Sequence, residues 1–124
     1  MAQKYIEGDI VEYDNKVMVI KEPRDGNHFD LSCPKEGLVY CFVGVDEIKP
    51  MELTLEIIEK NGWEFRRGFC FSTNEEGILI CLISQGGGVW DAYTGGKPLH
   101  SGINSVSDLQ HLLFGLGINH EMEV

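Results

Sequence analysis

The sequence predicts an α+β fold dominated by strands. It reads as a small SH3-like bent sheet or barrel, a short linking helix, then an antiparallel sheet with a C-terminal helix. Three observations carry that prediction. Short apolar runs, several with period-two alternation, recur between turns. The connections are brief and rich in Gly, Asn and Pro, which favours antiparallel hairpins. Only two stretches, within VDEIKPMELTLEIIEKNGW and VSDLQHLLFGLG, combine helix caps with helically spaced apolar residues. The 124 residues are 43% hydrophobic and 24% charged, which suits one domain or two small ones sharing a core. The division falls at 1–50 and 51–124, with the second part packed on the first, because halves of about 60 residues would each be marginal alone.

The first half opens with GDIVEY, a strand, and DNK, a turn made by residues that tolerate tight backbone geometry. KVMVIKEP is a second strand, expected to stop at Pro23, and RDGN is the next turn. HFDLSC is a short third strand and CPKEG another turn. LVYCFVGV is apolar on both faces, so it is expected to be a central strand. Pro50 should close the β part, since it cannot donate to a ladder. Thr54 then caps a two-turn helix with Leu53 and Ile58 as a hydrophobic staple, Glu56 in the first turn and Gly62 as the left-handed stop. Leu55, Ile58 and Met51 are its expected inward side chains.

From Trp63 the chain turns β again. WEFRR, GFCFST, GILICLIS and GVWDAY are four strands separated by RG, NEEG, QGGG and TGGK. GILICLIS, apolar on both faces, belongs in the middle of the sheet. KPLHSGI is a last extended piece before the C-terminal helix. Ser105 caps that helix through the amide of Asp108, and Val106, Leu109, Leu113 and Leu116 form its apolar stripe. Leu112 and Phe114 are expected to widen the stripe, and His111 to sit off it. HEMEV alternates like an added edge strand.

Motifs with chemistry are scarce. QGGGVW runs into a strand rather than a helix, so it is no phosphate cradle. TGGKP has Pro98 where a Walker loop needs Ser or Thr, and Asp91 where its leading glycine belongs. His28, His100, His111 and His120 show no metal-ligand spacing with one another or with Cys33, Cys41, Cys70 and Cys81. No metal and no cofactor is expected. The cysteines sit in or beside strands, away from the helix N-termini that activate thiols, and read as small core residues. No G-x-S-x-G elbow exists, and adjacent acids such as Glu75 and Glu76 fall at turns. The sequence therefore predicts no enzyme.

Aromatics are the more informative residues. Trp63 and Phe71 are expected in the core, and Phe69 shares the parity of Phe71. Trp90 and Tyr93, on a strand between two glycine turns, stay open between core and recognition surface. With Asp91 between them, Trp90 and Tyr93 are the candidate binding residues. The net charge of −10 argues against a nucleic-acid backbone as partner. No apolar run approaches a membrane span, and MAQKYIEGDI lacks a signal-peptide core, so a cytoplasmic location is expected.

The segment DEIKPMELTLEIIEKNGW resembles a recurrent stretch in small uncharacterised proteins of gut bacteria, their phages and mobile elements. SVSDLQHLLFGLG is similar to the closing helix of those proteins. Gly115 and the longer glycine-rich middle depart from their pattern. The resemblance implies a two-part β-rich protein and no activity.

The functional expectation is a non-enzymatic cytosolic interaction module with a protein partner or self-association, linked to a phage or mobile element. Two alternatives stand beside it. One is a small-ligand-binding or hydrolytic domain with a pocket between the halves, joining Cys41 or Cys70 with His28 or His100. The other is an SH3-like nucleic-acid adaptor or acidic DNA mimic.

Overall fold

The structure, a computed structural model, describes residues 5–66, 69–73 and 77–124. Among the described residues, ten strands, mostly antiparallel, form two five-stranded sheets, with one α-helix, Leu55–Lys60, before the second sheet in chain order and one, Val106–Gly115, after it. The fold is α+β. Contacts divide the chain into two compact units, Met1–Met51 and Glu52–Val124. The predicted RG turn, and all of NEEG but Gly77, lie outside the described residues.

The first unit contains β1 (Ile10–Tyr13), β2 (Lys16–Asp25), β3 (His28–Cys33), β4 (Leu38–Gly44) and β5 (Lys49–Pro50), in the order β4-β3-β2-β1-β5. The β1–β2 turn places Asp14 and Asn15 at φ 52° and 59°. A two-residue hairpin whose turn matches the strand twist needs positive φ at both positions, and Asp and Asn tolerate it. Val11, Met18, Ile20, Phe29, Leu31, Cys33 and Val43 form the core with Tyr5 and Ile48. A 3-10 turn at Val45–Glu47 returns the chain so that Pro50 pairs with Val11.

Two expectations for this unit fail. Pro23 does not end β2, which runs on to Asp25 with register shifts on both sides of Glu22–Pro23. A proline without an N–H is tolerated where bulges already interrupt the ladder. β4 is not central either. It lies at the sheet edge, with Leu38, Val39, Cys41 and Phe42 exposed and only Val43 buried. The return to β1 sets that order: β5 takes the place beside β1, leaving β4 with β3 as its one strand neighbour.

The second unit begins with α1 (Leu55–Lys60). Thr54 accepts a hydrogen bond from the Ile57 amide at 3.3 Å, and Gly62 follows the helix at φ 86°. The helix buries Ile57 and Ile58, while Leu55 and Met51 are half-buried. Strands β6 (Glu64–Arg66), β7 (Phe69–Thr73), β8 (Leu79–Gly86), β9 (Val89–Thr94) and β10 (Lys97–Ile103) form a meander with β8 in the middle.

Helix α2 (Val106–Gly115) starts at Ser105, whose Oγ accepts from the Asp108 amide at 3.1 Å. Val106, Leu109 and Leu113 are buried as its stripe predicts, but Phe114 is exposed, and Ser107 and Gln110 are buried in its place. Residues 118–124 form no strand. Backbone groups there bond to side chains instead: Gln110 Nε2 donates to the His120 carbonyl, and Asn61 exchanges two hydrogen bonds with Glu123.

Candidate functional site

Over β7 to β9 the register separates a buried side of the second sheet from a more exposed, open one, while Phe65 on β6, opposite the buried Cys70, is itself 44% exposed. Cys70, Leu82 and Ala92 face each other across three strands and are all buried. Ile80, Trp90 and Ile103 belong to the same core. Residues of the other parity form two rows on the open side. One row reads Arg66, Phe69, Ile83, Asp91; the other reads Glu64, Phe71, Cys81, Tyr93.

These rows split the candidate binding residues. Trp90 is core, 6% exposed, so it is not part of a recognition edge. Its Nε1 has no hydrogen-bond partner among the described residues. Asp91 and Tyr93 lie on the open side, half-buried. Asp91 is held there because its Oδ1 accepts from the Gly102 amide at 3.1 Å.

The centre of the open side is apolar. Phe69 and Leu79 are 37% and 48% exposed, and Phe71, Cys81 and Ile83 are half-buried. The Phe69 and Phe71 rings lie 6.1 Å apart. At the flank, Arg66 Nη2 donates to Glu64 Oε1 at 2.6 Å. The two rows carry one base and two acids, while the whole chain carries −10. A contiguous uncovered apolar patch with a polar border is the usual mark of a binding surface. Phe71, expected in the core, is half-buried on this side.

No family model matches the chain, and no curated protein or solved structure is similar to it. Among the described residues, no helix is long and apolar enough to cross a membrane.

A second feature lies in the first unit. Phe42 has φ 57°, in the left-handed region, at a register shift between β3 and β4. The buried Asp30 carboxylate holds this bulge. Its Oδ1 accepts from the Phe42 amide at 2.9 Å, and its Oδ2 accepts from Arg24 Nε and Nη2 at 2.8 and 2.6 Å. Those bonds, Arg24 first and the Phe42 amide second, hold the Asp30 carboxyl below the usual carboxylate range. Outside, Phe42 is 57% exposed and stacks on His28 at 4.1 Å, and His28 Nδ1 lies 3.0 Å from Asp25. Sequence reasoning missed this arrangement, because neither a bulge nor its buried anchor leaves a local pattern.

Of the residues proposed for a hydrolytic pocket, Cys41 is exposed on β4. Cys70 is buried, and burial pushes its thiol up to about 11. His28 is engaged by Asp25 and Phe42. His100 lines a cavity of about 290 Å³ with Asp108, His111 and Leu112. Asp108 works as a cap there, accepting from the Asn104 amide at 3.3 Å. Among the described residues, no group of three or more His, Cys, Asp or Glu converges as metal ligands do.

The cysteines do not behave alike. Cys33 and Cys70 are core residues as expected, Cys81 is half-buried on the open face, and Cys41 is exposed on β4. Burial raises the Cys81 thiol as well. A thiol reagent at neutral pH should therefore modify Cys41 first and Cys81 slowly, with Cys33 and Cys70 reacting only on unfolding. Mass spectrometry of timed, alkylated samples checks the order; early labelling of Cys70 would contradict its burial.

Proposed function

We propose that this chain is a non-enzymatic protein-interaction module of the cytoplasm that binds through the open face of its second sheet. One observation carries the reading: the exposed Phe69 and Leu79 and the half-buried Phe71, Cys81, Ile83 and Tyr93 share one side of the second sheet on a strongly acidic chain. Burying such a surface is favourable at roughly 25 cal/mol per Å² of apolar area. The near-neutral charge of the face removes the main obstacle to its burial. The first unit is read as SH3-like, supported by its meander, its 3-10 turn and the return of β5 to β1. The link to phages or mobile elements rests on the resemblance of the two helix-containing segments. Arg24, the arginine of the first unit, is occupied by Asp30, which weighs against a nucleic-acid adaptor.

The test uses the double variant Phe69→Glu/Leu79→Glu. Both positions are partly solvated, so the variant should melt close to the parent. Parent and variant are immobilised and exposed in parallel to pure protein and to an extract of cells that carry the gene. The parent should retain partner protein or further copies of itself that the variant loses. Equal retention by both would overturn the assignment of the face.

A further inference from the structure

We infer that the open face is self-complementary: it pairs with a second copy of this chain about a two-fold axis parallel to the strands, midway between β7 and β8. This rests on the interaction reading above and names the partner. Strand register carries the pairing. Each row crosses four strands at a fixed height, and each reads polar, apolar, apolar, polar: Arg66, Phe69, Ile83, Asp91, and Glu64, Phe71, Cys81, Tyr93. A two-fold parallel to the strands preserves height and reverses the order of the strands.

Stacked in this way, Arg66 of one copy lies over Asp91 of the second, and Phe69 lies over Ile83. In the other row Glu64 lies over Tyr93, whose hydroxyl donates to the carboxylate, and Phe71 lies over Cys81. Each contact occurs twice, because residue i meets j and j meets i, as an isologous interface requires. Face-to-face sheets normally align within about 30° at a spacing of ~10 Å, so the arrangement is an ordinary packing. Arg66 is already held by Glu64, which leaves less side-chain freedom to lose on pairing.

Size and charge set the expected behaviour. Four overlapping strands about 4.8 Å apart, about 3.4 Å per residue along each, give a face on the order of 20 Å by 17 Å. That places the pairing among small, reversible interfaces rather than obligate ones. Two chains of charge −10 repel each other at long range, whereas the contact itself is mainly apolar. Salt screens the first and spares the second. Self-association should therefore tighten as salt rises, the opposite of binding to a basic partner.

Sedimentation equilibrium on the full chain tests this, using Arg66→Asp and Asp91→Lys. In either homodimer, positions 66 and 91 would meet with like charge twice. In a mixed dimer of the two variants, both meetings regain opposite charge. The parent should dimerise reversibly and bind several-fold more tightly at roughly 500 mM than at roughly 50 mM salt. Each variant alone should be weakened about tenfold, and an equimolar mixture should recover to within about threefold of the parent. Where Asp91→Lys loses fold by circular dichroism, Asp91→Asn keeps the acceptor for Gly102 and should still weaken pairing. A parent that stays monomeric, or a mixture that recovers nothing, overturns the pairing. If Phe69→Glu/Leu79→Glu then still abolishes capture of another protein, the interaction reading survives and only its partner changes. If that variant alters neither self-association nor capture, the interaction reading fails too.

Discussion

Trp90→Ala is expected to lower the melting temperature of the second unit by well over ~10 °C. Truncating a buried Trp costs about 3–5 kcal/mol. Each kcal/mol is worth roughly 4–8 °C in a unit of this size. Trp90 stands on the buried side of β9 opposite Ser84 and Ile103, and is 6% exposed. The indole nitrogen sharpens the prediction. A buried N–H without a partner costs about 1–3 kcal/mol, and Trp90→Phe removes that cost while keeping most of the ring. The phenylalanine variant should thus melt far closer to the parent than the alanine variant. Thermal circular dichroism of the three proteins decides it. An alanine variant melting within a few degrees of the parent would return Trp90 to the surface.

The second large effect is expected at Asp30. Asp30→Ala leaves the Phe42 amide and the Arg24 guanidinium without their common acceptor, at a position where Phe42 is already held at positive φ. Strained backbone of this kind persists only while its surroundings over-determine it. The first unit should lose most of its cooperative transition, and the β3–β4 bulge should open first. Asp30→Asn keeps an oxygen for the Phe42 amide and loses only the charge that Arg24 reads, so it should fall between alanine and the parent.

The pH dependence follows with a definite sign. The folded state holds the Asp30 carboxyl below its ordinary value. Its contribution is therefore present above the unfolded value, about pH 4, and is lost as pH falls through the lower folded value. Asp25 is shifted the same way, by the Asn27 amide first and His28 second, and adds to the same window. The parent should thus lose stability on acidification more steeply than Asp30→Asn does. Parallel curves for the two proteins between pH 5 and pH 2 would show that Asp30 is not the titrating anchor.

Much of this fold is legible in single residues. Thr54 and Ser105 announce two helix starts because a hydroxyl before an amphipathic run satisfies orphan amides wherever the chain goes. Asp14 and Asn15 mark a hairpin because few other residues tolerate positive φ twice in succession. Period-two alternation in VWDAY separates Trp90 and Ala92 from Asp91 and Tyr93 before any partner strand is known. Such signals act within a few residues, so local sequence carries them whole.

Where a strand sits in its sheet, and what covers each side, is non-local. LVYCFVGV and GILICLIS read alike, apolar on both faces. One became an exposed edge and the other the centre of its sheet, because β5 returns to β1 while β7 and β9 flank β8. The same limit applied to the candidate site. Alternation separated Trp90 from Tyr93, but only the register across β6 to β9 brought Tyr93 into line with Cys81, Phe71 and Glu64. The sequence by itself determined most of the elements, their caps and the parity of the strands that run without a bulge. The tertiary structure decided which parity is buried, because burial depends on partners that lie far along the chain.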